Sequence, residues 1–236
     1  MKKIVLIAGI CLLIGHVALS QVKPFRFGLK LAPNIGWISP DSEGYESDGS
    51  VPGFSWGFIS DFTITENYFV ATGFNVNYMN GKMQFPHQID IIENDDTTTH
   101  IGTLKRKYNL RYIELPLTLK MKTNKFNEIQ FYGQIGFSLG FNVKSKGKDD
   151  FSYKVGGQYM SESNEGDISD EVTFLRGALV LGGGIEYYVD NSTSIVAGIT
   201  FSNGISNVLK GNNTVDTSIE QKAVPHYIEL TLGVIF

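Results

Sequence analysis

Beyond residue 20 the chain holds three histidines, His87, His100 and His226, and two of them have a carboxylate three residues downstream, Asp90 and Glu229. An imidazole beside a carboxylate is a common general base, and with a serine or threonine nucleophile it would support hydrolysis. That chemistry needs hydrogen-bond reach, which three-residue spacing does not secure, and histidines without a role are the commoner case. No enzyme is expected on this ground, and neither a catalytic residue, a cofactor nor a metal is assigned. The acidic runs offer a second chemistry. Asp95-Asp96, Asp149-Asp150 and Glu165-Gly166-Asp167-Ile168-Ser169-Asp170-Glu171 carry the oxygen ligands that calcium takes, but the last run lacks the spacing of an EF-hand loop. Solvated acidic loops are the plainer reading. A third set consists of charges set singly among apolar residues: Arg26, Lys30, Asp61, Glu114, Lys120, Arg176, Glu186 and Glu229. Such charges either line a polar path or are held in ion pairs, because a buried charge is tolerated only when paired.

The elements that carry these residues show a period of two, the strand period. In residues 129–144, Ile129, Phe131, Ile135, Phe137, Leu139, Phe141 and Val143 share one face, and Gln130, Tyr132, Gln134, Ser138, Asn142 and Lys144 share the other. Seven further segments alternate in the same way, around residues 25–32, 54–62, 68–78, 114–122, 175–188, 195–202 and 227–236, making eight strands. In every one the apolar face is free of charge, and the eight charges named above fall on the polar face. Pro116 interrupts the fourth segment, where its missing N–H predicts a bulge or an exposed position. The alternation there also slips between Tyr112 and Leu115.

Connections alternate in length. Residues 65–67, 123–128 and 190–192 are short, while 39–52, 82–103, 145–171 and 206–223 are long and hold 17 of the 24 carboxylates, so the chain's acidity sits at one end. Short turns at one end, long loops at the other and an uncharged apolar face describe an eight-stranded antiparallel transmembrane barrel with periplasmic turns, extracellular loops and both termini in the periplasm. A soluble eight-stranded barrel or sandwich with the same faces turned inward is the alternative. Trp37, Trp56, Tyr78 and Phe141 would form an outer aromatic girdle, and Phe25, Phe62, Tyr68, Phe131, Tyr187 and Phe236 an inner one. Lys120, Lys122 and Lys125 flank a turn where they would meet lipid phosphates or a periplasmic partner. An eight-stranded bore is just wide enough to be filled by side chains, which favours ion-pair packing over a permeation path.

Composition bounds the rest. A formal net charge of −4 excludes the basic footprint of a nucleic-acid binder, and the single cysteine, Cys11, excludes a disulfide framework. No apolar run reaches 18 residues, which excludes a bundle of membrane-crossing helices but not a barrel. Lys2 and Lys3, an apolar stretch from residue 4 to 19 and Ala18-Leu19-Ser20 have the parts of a secretory signal peptide, predicting a cleaved leader over residues 1–20 and a barrel domain over 21–236. At the other end Ile228, Leu230, Leu232, Val234 and the terminal Phe236 have the regularity of a barrel-assembly signal, read by backbone pairing.

The wording of several segments resembles the PorT family of Bacteroidetes outer-membrane barrels. The likeness rests on Arg111-Tyr112-Ile113-Glu114-Leu115-Pro116-Leu117-Thr118-Leu119-Lys120, Tyr132-Gly133-Gln134-Ile135-Gly136, Thr65-Glu66-Asn67-Tyr68, Asn80-Gly81-Lys82 and Phe137-Ser138-Leu139-Gly140-Phe141-Asn142. The resemblance implies a non-enzymatic component of type IX protein secretion and, in gliding species, of motility. Its implied partners are outer-membrane lipid, the barrel-assembly machinery and other secretion components. With so narrow a bore the expected role is accessory or assembly rather than conduit. The competing expectation is a general envelope barrel that binds a ligand or partner through its loops.

Overall fold

The structure, a computed structural model, describes residues 24–93 and 96–236. The leader expected over residues 1–20 lies outside them. The described residues form nine strands: β1 (Phe25–Pro40), β2 (Glu46–Thr65), β3 (Tyr68–Glu93), β4 (Asp96–Lys122), β5 (Ile129–Val155), β6 (Gln158–Asp167), β7 (Leu175–Tyr188), β8 (Ser194–Gly204) and β9 (Ala223–Ile235). Eight of them close a ring in the order β1-β2-β3-β4-β5-β7-β8-β9, with β9 pairing back onto β1. Every pairing is antiparallel. The fold is thus the all-β, eight-stranded antiparallel barrel that the period-two pattern describes.

Alternation turns the two faces as the residue types require. Leu31 and Leu117, outward, are 58% and 61% exposed, while inward Asp61, Arg176 and Glu186 are fully buried. In water this would be an inside-out protein, since contiguous apolar surface on this scale is rare on soluble monomers. Around a hydrocarbon layer it is the expected arrangement, because a closed ring pairs every strand edge.

The ninth strand comes from a region read in the sequence as loop. β3, β4 and β5 run for 26, 27 and 27 residues, against 16 in β1 and 14 in β7. About 9–11 tilted residues cross a bilayer, so these three strands project far beyond it. The β3–β4 ladder keeps one register from Tyr68↔Met121 to Glu93↔Asp96. β5 turns at Gly156-Gly157, both at positive φ (56° and 85°), into β6, which takes over the edge of β5 that β7 occupies lower down. Two consecutive positive φ values make the tight hairpin turn that glycine permits. Three of the four long connections are therefore largely strand. Residues 206–222 alone keep a mostly irregular path, folding back against the projecting sheet.

The reason for the misreading is physical. Along β4 the outward positions run Met121, Leu119, Leu117, Leu115, Ile113 and then Arg111, Asn109, Lys107, Lys105; the inward ones run Lys122, Lys120, Thr118, Glu114 and then Tyr112, Leu110, Tyr108 and Leu104, with Arg106 among them. Apolar residues face out below and in above. β3 changes over at the same height, from outward Phe74, Val76 and Tyr78 to inward Met79, Met83 and Phe85. The apparent slip between Tyr112 and Leu115 is this inversion inside a continuous strand. A bulge accompanies it on β5, where Arg111↔Lys144 and Tyr112↔Asn142 leave Val143 as the extra residue. None falls at Pro116, which pairs in register with Ser138. On its other side bridges are missing opposite Gly73 and Phe74, and the Thr72 hydroxyl donates to the Pro116 carbonyl at 2.7 Å.

Candidate functional site

The structure turns all eight singly set charges into the barrel interior, in tiers. At the short-turn end Glu186 sits between three cations: Lys120 Nζ at 2.6 Å from Oε1, and Lys122 Nζ and Arg26 Nη1 at 2.8 and 2.9 Å from Oε2. Asp61 shares two of them, at 2.9 Å from Lys120 and 3.5 Å from Lys122. Arg26 also donates to Ser194 Oγ at 2.6 Å. In the middle Lys30 pairs with Glu229 at 2.6 Å, and Ser55 donates to the same carboxylate at 2.8 Å. At the upper end Arg176 meets Glu114 at 3.0 Å and donates to Ser202 and the Pro225 carbonyl, while the Tyr227 hydroxyl donates to Glu114 at 2.7 Å.

Lys122 was missed as a member of this network. Of the three lysines expected to meet lipid phosphates or a partner at the turn, Lys120 and Lys122 share inward parity and have buried side chains. The signal was the i+2 spacing of Lys122 from Lys120. Lys125 does stay at the surface, 3.0 Å from Glu128. Tyr132 spans the bore beneath: its ring lies 4.6 Å from Lys120 Nζ and its hydroxyl rests against Gly198, where an added Cβ would come within 2.1 Å. Between the tiers remains a cavity of about 80 Å³, lined by Lys30, Asp61, Thr118, Gln134, Thr200 and Thr231 among others. That is space for a few waters, not for a solute path.

Above the apolar band lies a second core, which we call the crown. Met83, Phe85, Leu104, Tyr108, Phe151 and Tyr153 from the projecting strands pack with Ile168, Val172 and Leu209 from the connections, in one buried cluster that continues down to Ile38, Tyr112 and Tyr227. Asn213 ties residues 206–222 to the sheet by donating to the Tyr45 hydroxyl and the Pro86 carbonyl, each at 2.9 Å. Arg106 reaches both oxygens of Asp149, at 2.6 and 2.7 Å, and also pairs with Glu171. Burial works against its charge, but Asp149, Tyr108 and Glu171 outweigh that and hold the guanidinium above its ordinary range. Burial raises the phenol of Tyr108, and it lowers the imidazole of His87, with Arg106 adding to that effect against Asp149 and Glu171.

The other residues weighed in the sequence separate. His87 Nδ1 lies 2.9 Å from Thr214 Oγ1, while Asp90, on the opposite face of β3, accepts from Thr99. His226 stacks on Trp37 at 5.6 Å on the outer face, and Glu229 points into the lumen. Neither histidine–carboxylate pair is assembled. The acidic run 165–171 is divided too: Glu165 reaches Lys146, Asp167 accepts from the Ser169 N–H and Glu171 goes to Arg106. Among the described residues no group of three metal-ligating side chains is gathered. Of the aromatic residues, Phe25 packs on Phe62 and Phe27 on Phe236 near the short turns, and Trp37 stacks on Phe201 at the other rim. Ile228, Leu230, Leu232, Val234 and Phe236 line the outward face of the last strand and its terminus.

A family model described as "Outer membrane protein beta-barrel domain" matches residues 19–210. No curated protein matches the chain. Among solved structures it is similar to Neisserial surface protein A (13% identity, 90% of this chain and 96% of that one, TM-score 0.44). It is also similar to the outer membrane protein OprG from Pseudomonas aeruginosa (11%, 90% and 95%, 0.46) and to Ail, the attachment invasion locus protein of Yersinia pestis (14%, 91% and 100%, 0.37). Identities and scores at this level carry no functional assignment.

Proposed function

This chain belongs to the outer-membrane protein β-barrel domain family, and from that premise we propose that it is a non-conducting barrel that works through its crown. The carrying observation is that the bore is filled twice over, by tiers of ion pairs and by the apolar core above them. A barrel of this kind has its exterior and its projecting sheet left with which to act. In this reading the crown faces the outside of the cell, both termini lie in the periplasm, and residues 228–236 serve as the strand captured by the barrel-assembly machinery. The resemblance to the PorT family narrows the partner to the type IX secretion machinery, with an accessory or assembly role.

Two experiments divide the claim. Purified protein in planar bilayers gives no conductance steps; open channels of wild-type protein would overturn the non-conducting reading. In the native host, deletion of the gene leaves type IX cargo inside the cell, and a barrel lacking residues 85–102 and 147–166 inserts but does not restore export. Normal export in the deletion strain removes the type IX assignment. Full restoration by the shortened barrel removes the crown from the function.

A further inference from the structure

The outward face of the projecting sheet carries an ordered set of cations directly above the apolar band. β3, β4 and β5 place them in rows across the strands. Tyr78, Arg111 and Lys144 form the lowest row, immediately beyond Ile113 and Phe141. Asn80, Asn109 and Lys146 form the next, and Lys82, Lys107 and Lys148 the third. Like charges directly opposite one another on a sheet are destabilising, yet Lys82 faces Lys107, Lys107 faces Lys148, and Arg111 faces Lys144.

Carboxylates border this set: on β6 Glu165 stands directly opposite Lys148 and Asp167 opposite Lys146, Asp150 lies opposite Lys105, and Glu46 on β2 is held by Gln84. Lys107 and Arg111, in the middle strand, have only Lys82, Lys148, Tyr78 and Lys144 across from them. Lys146 reaches Glu165 at 3.4 Å, but among the described residues no carboxylate comes within ion-pair distance of Lys82, Lys107, Arg111, Lys144 or Lys148. Arg111 instead lies over the ring of Tyr78, 4.6 Å from its centre, so it is held at the edge of the apolar band. Rows two residues apart lie about 7 Å from each other along the strand and strands about 4.8 Å apart, so the cations form a two-dimensional array and not a single belt.

We propose that this face binds a phosphorylated glycolipid of the surrounding leaflet, its acyl chains against Leu115, Leu139 and Phe141 and its phosphates on the rows from Arg111–Lys144 up to Lys107–Lys148. The height of the site selects the lipid. Lys107 stands six residues above Ile113, about 20 Å of strand, and even at the tilt of a membrane barrel that is about 14 Å. A headgroup layer of about 5–8 Å on one side of a bilayer reaches Arg111 and Lys144 but not the Lys107 row. A sugar headgroup carrying phosphates spans both. The inference rests on the barrel's placement in the membrane and is independent of any partner of the crown.

The test uses the full-length barrel in neutral detergent, titrated with a diphosphorylated, acylated glucosamine disaccharide and followed by native mass spectrometry. Binding should weaken steeply with salt. The enzymatically dephosphorylated glycolipid and phosphatidylglycerol should each bind at least tenfold more weakly. With about fivefold per cation near a charged surface, K107Q/K148Q should lose about 30-fold, K107R/K148R should retain affinity, and K125Q at the other end should change nothing. Retention of the folded band on unheated gels shows that each variant remains a barrel. Equal binding of the dephosphorylated glycolipid, equal binding of phosphatidylglycerol, or an affinity of K107Q/K148Q within twofold of wild type overturns the proposal. None of these outcomes bears on conductance or export.

Discussion

Glu186→Gln is the substitution to which the lower tier should be most sensitive. Three cations, Arg26, Lys120 and Lys122, face two carboxylates, Glu186 and Asp61, all with side chains under a tenth exposed. Glu186 contacts all three cations, whereas Asp61 reaches only the lysines. Glutamine preserves shape and removes the charge, leaving Arg26 without a carboxylate and both lysines sharing one. Breaking a buried pair from one side costs about 3–5 kcal/mol, because the stranded charge keeps its desolvation penalty. With a urea slope of about 1–3 kcal/mol per molar, the unfolding midpoint should fall by roughly 1–5 M, followed by fluorescence of Trp37 and Trp56 and by gel mobility. Lys122→Met should behave in the opposite sense. It balances two cations against two carboxylates and should leave the midpoint unchanged or raised, since apolar replacement of buried charge is often neutral or stabilising. The double variant E186Q/K122M restores the original excess of one cation and should recover much of the loss. A midpoint within about 0.3 M of wild type for E186Q, or greater damage from K122M than from E186Q, refutes the electrostatic account of the plug.

Two further outcomes follow from the same geometry. Gly198→Ala drives a methyl into the Tyr132 hydroxyl and should cost about 1–3 kcal/mol as an overpacked site; in a Tyr132→Phe background, which removes the struck oxygen, the loss should shrink. His87 has its proton affinity lowered from the ordinary 6.5, chiefly by burial, so the unfolded crown binds the proton more readily than the folded one. The stabilisation is then complete above pH 6.5 and declines as pH falls through the lower folded value. Hydrogen exchange in residues 85–104 and 206–222 should accelerate on acidification through that window, and His87→Gln should flatten the response.

The lower barrel was legible because each of its strands obeys one rule throughout, apolar outward and polar inward. Phe27, Leu29 and Leu31 beside Arg26 and Lys30 are enough to assign a face, and eight such segments give the strand count. The crown was illegible for the same reason. Its strands obey the reverse rule, so inward Met83 and Phe85 fall in what reads as the loop 82–103, and Leu104, Tyr108 and Leu110, turned inward beside outward Lys105, Lys107 and Arg111, do not continue the apolar face of the segment that follows. Gly156-Gly157 marked a hairpin in the supposed loop 145–171 and was the available clue. Which charge meets which could not be read from spacing, because Arg26 on β1 and Glu186 on β7 are 160 residues apart and meet only across the closed ring. The two histidine–carboxylate pairs are the opposite case, since residues three apart on a strand point to opposite faces and spacing alone separates them once the strand is recognised.

The segment that seals the crown also has a consequence for the order of assembly. Val208, Leu209 and Ile219 complete the apolar core above the bore, and they immediately precede β9, whose pairing with β1 closes the ring. Until that last stretch of chain docks, the inner face of the upper sheet is covered only from the side of Ile168 and Val172, and β1 has a bare edge. Cap and seam are therefore neighbours in the chain, the residues that cover the mouth leading directly into the strand that closes the ring. The molecule has one latch, and it fastens both ends of the problem at once.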